Sequence, residues 1–289
     1  MNKDLISEIV DILTTKEVYG YGMQKTGTGT FSLLAKQREN IHWQDHGIFW
    51  SDSSPHNKKN LALACFKIPP WTEYMPTRGG GFLKNHFQTP ENLGAGPDHV
   101  SVCLIRNPFE LYSSIFYHGA AGSNNVQHFY DKVPDGSLRS FKKFIMSLEK
   151  VESLYMPLMA TSPFFAYYDN SGTFVPDVAI KLEALDEIIE GLGGWTGDVA
   201  YAMKKHGSRS PLTPGGVRHK SQKPKGLKTE DLYDDEMKDL IRSIFKKDLE
   251  CFGYDFNLCD DRPFVRKKDI IKLEDERYRK AVSGLKNNV

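Results

Sequence analysis

The segment from His99 to Ile105 (HVSVCLI) restricts the fold of this chain more than any other part of the sequence. It is a continuous run of mainly apolar residues, which is typical of a parallel strand buried on both faces by covering helices. Pro108 follows, and the sequence to His118 predicts a helix, because proline is favoured near the start of a helix. A strand followed at once by a helix is the building unit of α/β folds.

Strand and helix patterns alternate along the rest of the chain. We predict two further strands, Glu17–Met23 and Val178–Leu182. The region between Asn40 and Pro97 is rich in Trp, His, Gly and Pro, and we predict that much of it is surface loop around a site. The tail after Arg262 is predicted to be an exposed helix. Apolar residues at helical spacing predict further helices over residues 1–15, 31–38, 138–155, 184–192 and 229–252.

This alternation predicts an α/β fold of three layers, with helices flanking a central, mostly parallel sheet. Neither an internal repeat nor a clear linker divides the sequence. We therefore expect one domain over residues 1–289, with its core at about 17–256 and a peripheral C-terminal helix or tail at 263–289.

Composition excludes several classes of protein. The 38 Lys and Arg residues nearly balance the 37 Asp and Glu residues, so no overall positive field favours nucleic acid. The longest apolar runs have about six residues, whereas a membrane span needs roughly 20. The four cysteines have no paired close spacing, so neither a disulfide framework nor a zinc site is predicted. We expect a cytoplasmic protein without a metal and without membrane insertion.

The segment from Tyr19 to Phe31 (YGYGMQKTGTGTF) predicts a strand, a Gly/Thr-rich loop and a helix. The loop consists of Lys25, Thr26, Gly27, Thr28, Gly29 and Thr30. Glycines let successive backbone N–H groups point into one concavity, and the N-terminus of the following helix also attracts anions. The lysine ammonium and the threonine hydroxyls add further donors. The segment is a candidate phosphate cradle, although an ordinary turn between a strand and a helix would have a similar composition.

The order of residues in this loop separates it from two common nucleotide-binding motifs. A nucleotide triphosphatase loop has the lysine after the glycines, as GK[ST]. Here Lys25 precedes the glycines, and GK[ST] occurs nowhere in the chain. The dinucleotide fingerprint G-x-G-x-x-G also fits poorly, because it does not require a lysine inside the turn.

The loop resembles the 5′-phosphosulfate loop of the P-loop-like sulfotransferases that use 3′-phosphoadenosine 5′-phosphosulfate, commonly PKTGTT or PKSGTT. Gln24 stands where that family often has proline, and Gly29 interrupts the threonine pair. The resemblance implies that Lys25 is both a nucleotide-binding and a catalytic residue. It also implies that the rest of the loop, to Thr30, binds the nucleotide.

A second segment, Val100 to His118, resembles the family's 3′-phosphate signature. That signature is an apolar strand ending in Arg, a turn, and a helix with Ser eight residues after the Arg. Arg106 and Ser114 have this spacing. An arginine fork and a serine hydroxyl can approach one phosphate together. Taken alone, Arg106 would equally suit a surface ion pair.

A third segment, Phe82 to Phe87 (FLKNHF), resembles the stretch in which many sulfotransferases carry a general base. The resemblance implies that His86 is the base, with Lys84 as a weaker candidate. The basic stretch 204–228 contains Arg218 and Lys220 at a place comparable to the loop that closes over the 3′-phosphate in the cytosolic branch, although that branch's RKG motif is absent. This stretch could equally be a solvated basic loop. Phe245 to Phe256 is similar to the family's closing helix.

The resemblance implies a soluble sulfotransferase that transfers a sulfuryl group from the nucleotide donor to a hydroxyl or amine of a small molecule or carbohydrate. A nucleotide-dependent kinase would also need a phosphate cradle, together with a Mg²⁺ carboxylate and a GK[ST]-like lysine. A non-catalytic adenosine-bisphosphate-binding protein is the remaining alternative. The sequence does not identify the acceptor.

Overall fold

The computed structural model describes residues 1–22, 30–31, 34–35, 37–45, 48–49, 95–120, 137–148, 174, 176–196, 226–256 and 258–270. The chain divides into two compact units. The first consists of Met1–Ile105, Ala166–Arg218 and Asp261–Ile271, and the second of Arg106–Phe165, His219–Asp260 and Lys272–Val289.

Among the described residues of the first unit, six strands form a sheet of order β3-β2-β1-β4-β5-β8. Strands β2, β1, β4 and β5 are parallel, and the edge strands β3 and β8 are antiparallel to their neighbours. The chain is therefore an α/β protein with a mostly parallel sheet, as predicted. The strands are β1 (Val18–Gly22), β2 (Ile41–Asp45), β3 (Ile48–Phe49), β4 (Val100–Ile105), β5 (Val178–Lys181) and β8 (Phe264–Arg266).

Helices of the first unit pack on one face of this sheet. Helix α1 (Lys3–Thr15) begins at Asn2, whose side chain accepts hydrogen bonds from the N–H groups of Asp4 and Leu5. Helix α4 (Leu185–Gly191) follows β5 through a 3₁₀ turn, Leu182–Ala184. Residues 30, 31, 34 and 35 are also helical. These helices contribute Ile9, Leu13, Phe31, Leu34, Ile188 and Ile189 to a core that includes Val102, Leu104, Val178 and Ile180 of the sheet.

The opposite face of the sheet is also buried. Side chains alternate between the two faces along a strand, and Cys103, Ile105 and Ala179 point away from the core just described. Each of the three is fully buried. The predicted burial of both faces is therefore confirmed for β4. The predicted strand at Glu17–Met23 is confirmed as β1.

The region after Asn40 was predicted to be largely loop, and this is wrong at its start. Residues 41–45 form β2, which pairs in parallel with β1 from Val18 opposite Ile41 to Gly22 opposite Asp45. The sequence IHWQD lacks the apolar run of a central strand, but backbone pairing with β1 stabilises it and Ile41 reaches the core. Residues 51–94 lie outside the described part of the chain.

The predicted long helix over residues 229–252 is instead three elements. A 3₁₀ turn (Thr229–Asp231) precedes helix α5 (Asp235–Ile244) and helix α6 (Lys246–Phe252). Asp234 caps α5 by accepting a hydrogen bond from the Met237 N–H. The break falls at Phe245, which is fully buried and stacks on Tyr112 at 5.2 Å between ring centroids. Burial of this ring therefore accompanies the interruption of the helix.

The tail after Arg262 also differs from the prediction of an exposed helix. Phe264 and Val265 are buried in β8, where the chain pairs with β5. A 3₁₀ turn, Lys267–Asp269, follows, and residues 271–289 lie outside the described part. Together with α1, this strand extends the core beyond the expected limits of about 17–256.

Helices and aromatic rings form the second unit. Its elements are α2 (Pro108–Ala120), α3 (Leu138–Ser147), α5, α6 and a short hairpin of β6 (Tyr254–Asp255) and β7 (Leu258–Cys259). The helix predicted over residues 138–155 ends at Ser147 in the described part, and 149–155 lie outside it. Rings of Phe109, Tyr112, Phe116, Tyr117, Phe141, Phe144, Tyr233, Phe245 and Phe256 contact one another at centroid distances of 5.0–6.3 Å.

Two hydrogen bonds from Ser101 of β4 hold Asp177, the residue before β5. The Asp177 carboxylate accepts from the Ser101 N–H at 2.8 Å and from the Ser101 hydroxyl at 2.7 Å.

We expect Asp177→Ala to lower the free energy of unfolding by about 2–4 kcal/mol, because the N–H and the hydroxyl of buried Ser101 both lose their acceptor. Urea denaturation measures this. Asp98→Ala, which removes an exposed carboxylate before β4, is the control and should change stability by less than about 0.5 kcal/mol. Equal effects of the two variants would contradict this role for Asp177.

Candidate functional site

The carboxyl ends of β1 and β4 lie side by side, because Gly22 pairs with Leu104. The next strand of the chain after β1 is β2, which lies on the other side of β1 from β4. The connections after β1 and β4 therefore lead in opposite directions across the sheet. In open α/β sheets, ligands bind outside the carboxyl ends of the strands at such a switch point.

The candidate phosphate loop directly follows the end of β1. Its residues 25–29 lie outside the described part of the chain. Thr30, the last residue of the loop, is buried and helical, and the neighbouring Phe31 packs into the core. The predicted strand and the predicted helix are thus present on either side of the loop.

Arg106 follows the end of β4 by one residue and forms an ion pair with Glu110. Its Nη2 lies 3.3 Å from the Glu110 carboxylate, four residues further along the chain. The Arg106 side chain is only 20% exposed. A guanidinium carries five donors in a planar fork, so it can bind a second anionic group beside a carboxylate. The sequence pointed to Arg106 but did not reveal the role of Glu110.

Asn107 fixes the turn between β4 and α2. Its side-chain oxygen accepts a hydrogen bond from the Phe109 N–H at 3.1 Å, and its Nδ2 donates to the backbone carbonyl of Asp255 at 2.8 Å. The side chain is buried. Asn107 therefore restrains the backbone next to Arg106, a role that we did not predict from the sequence. The signal for it was an asparagine directly before a helix-starting proline, since asparagine is a favoured N-cap.

Ser114 lies on α2, four residues after Glu110 and half-buried. Residues four apart share one face of a helix. The structure therefore places the predicted phosphate ligand Ser114 on the helix face that carries the ion-pair partner of Arg106.

Tyr233 precedes α5 and contacts the start of α2. Its hydroxyl donates a hydrogen bond to the Phe109 carbonyl at 2.8 Å. Burial raises the pKa of Tyr233 well above its ordinary value; the negative charge of Glu110 raises it further, and the positive charge of Arg106 opposes this rise. The Tyr233 hydroxyl is thus electrostatically coupled to the Arg106–Glu110 pair. Nothing in the sequence around Tyr233 indicated this position.

The other predicted site residues, His86, Lys84, Arg218 and Lys220, lie outside the described part of the chain. Within the described ranges, no group of three or more His, Cys, Asp or Glu side chains could hold a metal ion. No helix in those ranges is both long enough and apolar enough to cross a membrane. Cys103 is a buried thiol.

Assignment of a function to this edge of the sheet depends on the chemistry of its residues. Comparison of the chain with protein-family models, with curated proteins and with solved structures finds no match in any of the three.

Proposed function

We propose that this chain is a sulfotransferase that uses 3′-phosphoadenosine 5′-phosphosulfate to sulfate a hydroxyl or an amine. The observation that carries the proposal is the order of the sheet. The Gly/Thr loop and Arg106 follow the carboxyl ends of β1 and β4, which are paired neighbours at a switch point of the sheet. A nucleotide with phosphates on both its 5′ and 3′ positions requires two such anion-binding segments.

The loop after β1 is proposed to bind the 5′-phosphosulfate. Backbone N–H groups from Thr26 to Thr30 would cradle the phosphate, and the helix that contains Thr30 adds the positive end of its dipole. Lys25 is proposed to bring its ammonium near the oxygen that bridges phosphorus and sulfur. This charge stabilises the negative charge that develops on the bridging oxygen as the sulfur departs.

The segment after β4 is proposed to bind the 3′-phosphate through Arg106 and Ser114. Asn107 and Glu110 restrain Arg106 from two directions, one through the backbone and one through the ion pair. Such restraint lowers the entropy that the arginine side chain loses on binding. Arg218 and Lys220 are proposed to add positive charge around the same phosphate.

The proposed transfer is an in-line displacement at sulfur. The acceptor oxygen or nitrogen forms a bond to sulfur, while the bond between sulfur and the bridging phosphate oxygen breaks. His86 takes the acceptor proton, and the leaving adenosine 3′,5′-bisphosphate keeps the bridging oxygen with its electron pair. The balance requires neither a redox partner nor a further co-reactant. Lys84 is the alternative base.

The donor assignment is tested by thermal stabilisation. At 100 times the dissociation constant, a ligand raises the free energy of unfolding by about 2.7 kcal/mol. We expect adenosine 3′,5′-bisphosphate to raise the melting temperature and ATP with Mg²⁺ to do so much less. The reverse order would favour a kinase. Stabilisation by the bisphosphate without sulfate transfer to any acceptor in a broad screen would favour a non-catalytic nucleotide-binding protein.

A further inference from the structure

The hydroxyl of Tyr117 is buried and has no hydrogen-bond partner among the described residues. Tyr117 is 1% exposed. Within the described part of the chain, no donor or acceptor lies within hydrogen-bond distance of its buried hydroxyl oxygen. An unsatisfied buried hydroxyl is unfavourable by about 1–3 kcal/mol, and buried polar groups in folded proteins are almost always paired. Tyr117 therefore differs from Tyr233, whose hydroxyl is bonded to a carbonyl.

The position of Tyr117 on α2 relates its hydroxyl to the candidate phosphate site. Two turns of a helix hold about seven residues, so Tyr117 lies on the same face as Glu110. Ser114, three residues before Tyr117, is on this face as well. Aromatic side chains on a helix lean back toward its N-terminus and cover the preceding turn. From this preference we expect the phenol of Tyr117 to lie over the turn of Ser114, on the side of Glu110.

The groups around Tyr117 and Tyr233 agree with a phenol of Tyr117 that lies toward the start of α2. The Tyr117 ring stacks on Phe141, and the Tyr233 ring meets the edge of the same phenylalanine. The pKa of Tyr233 is raised chiefly by its burial. Glu110 and the Tyr117 phenol raise this pKa further, and Arg106 lowers it. Arg106, Glu110 and Tyr117 are therefore each within electrostatic range of the Tyr233 hydroxyl.

We propose that the Tyr117 hydroxyl is a third ligand of the nucleotide 3′-phosphate, beside Arg106 and Ser114. The inference rests on the proposed function, which supplies the phosphate. A phosphate oxygen accepts strong hydrogen bonds, and the phenol is a donor that has no acceptor among the described residues of the ligand-free protein. Binding of the phosphate would therefore supply an acceptor that the described residues do not.

Tyr117→Phe tests this proposal in the full-length protein, because it removes the oxygen and keeps the ring. By calorimetric titration, the variant should bind adenosine 3′,5′-bisphosphate about tenfold more weakly, the usual consequence of losing a hydrogen bond to a charged group. Its affinity for adenosine 5′-phosphate, which lacks the 3′-phosphate, should change by less than about twofold on the same grounds. Without nucleotide, its melting temperature should equal or exceed that of the wild type.

Tyr233→Phe is the matched control for stability. This variant should have a melting temperature about 2–4 °C below that of the wild type, because the Phe109 carbonyl loses its donor.

The outcomes separate the two proposals. If the wild type binds the bisphosphate and Tyr117→Phe binds it equally well, the role of Tyr117 is wrong and the proposed function stands. A lower melting temperature of ligand-free Tyr117→Phe would also overturn the inference, because the hydroxyl would then have a partner within the protein. If the wild type binds no bisphosphate, the proposed function fails, and the inference fails with it.

Discussion

Replacing His86 with alanine is expected to lower the turnover number by about 10²–10⁴-fold, the usual contribution of a positioned general base. The acceptor must lose its proton as it attacks sulfur. An imidazole with an ordinary pKa near 6.5 is largely neutral, and so available as a base, at about pH 7. Initial rates of sulfate transfer across a range of pH measure the effect. Below the pKa of a catalytic base the rate falls, so the acid limb of the wild-type profile should disappear in the variant.

His42→Gln is a suitable control for the His86 variant. His42 lies on β2 near the amino-terminal end of the strand, where its Nε2 is 3.1 Å from the Glu17 carboxylate. Glutamine keeps a donor for this contact, and the residue is at the opposite end of the strand from the proposed site. This variant should retain turnover within about twofold. A His86→Ala enzyme with a near-normal rate and an unchanged pH profile would assign the base to Lys84 or to an acidic residue.

Replacing Arg106 with alanine is expected to weaken binding of adenosine 3′,5′-bisphosphate by about 10²-fold, or about 3 kcal/mol, because a charge-assisted fork to a phosphate is lost. Adenosine 5′-phosphate should lose much less affinity, since it lacks the group that Arg106 is proposed to bind. Calorimetric titration of both nucleotides measures the difference. Equal losses for the two nucleotides would rule out this role for Arg106.

Arg242→Ala controls for the removal of a paired arginine from the same unit. Arg242 forms a hydrogen-bonded ion pair with Asp255 at 3.0 Å, and its side chain is 43% exposed. Its removal should leave the affinity for both nucleotides within about twofold, because an exposed pair contributes only about 0.2–1 kcal/mol to stability. Comparing the nucleotide affinities of Arg106→Ala and Arg242→Ala separates the loss of a phosphate contact from the general loss of one positive charge.

Local sequence patterns determined the elements whose burial follows from their own residues. The apolar segment that ends at Ile105 is typical of a strand buried on both faces, and proline, here Pro108, is favoured at the first position of a helix. The strand that ends at Gly22 and the helix that contains Thr30 were found for the same reason. These elements also fixed the sequence positions of the candidate loop and of Arg106 relative to the ends of their strands.

Tertiary structure decided the elements that depend on a partner. Strand β2 has a polar sequence and is a strand because β1 supplies its hydrogen bonds. Phe264 and Val265 join the sheet because β5 has a free edge at that position. Phe245 divides a charged helix where its ring is buried against Tyr112. In each case the stabilising contact is with residues far away in the sequence, so no local pattern contains it.

The candidate site divides in the same way. Resemblance to a 3′-phosphate signature selected Arg106 and Ser114, and an arginine fork with a hydroxyl suits phosphate binding. The contacts of Glu110 and Asn107 and the burial of the Tyr117 hydroxyl became apparent only in three dimensions. Glu110 depends on the turn that brings it 3.3 Å from Arg106, and Asn107 on a carbonyl 148 residues further along the chain. The sequence by itself selected the groups that are proposed to bind a phosphate, and tertiary packing decided which neighbours restrain them and which hydroxyl has no partner among the described residues.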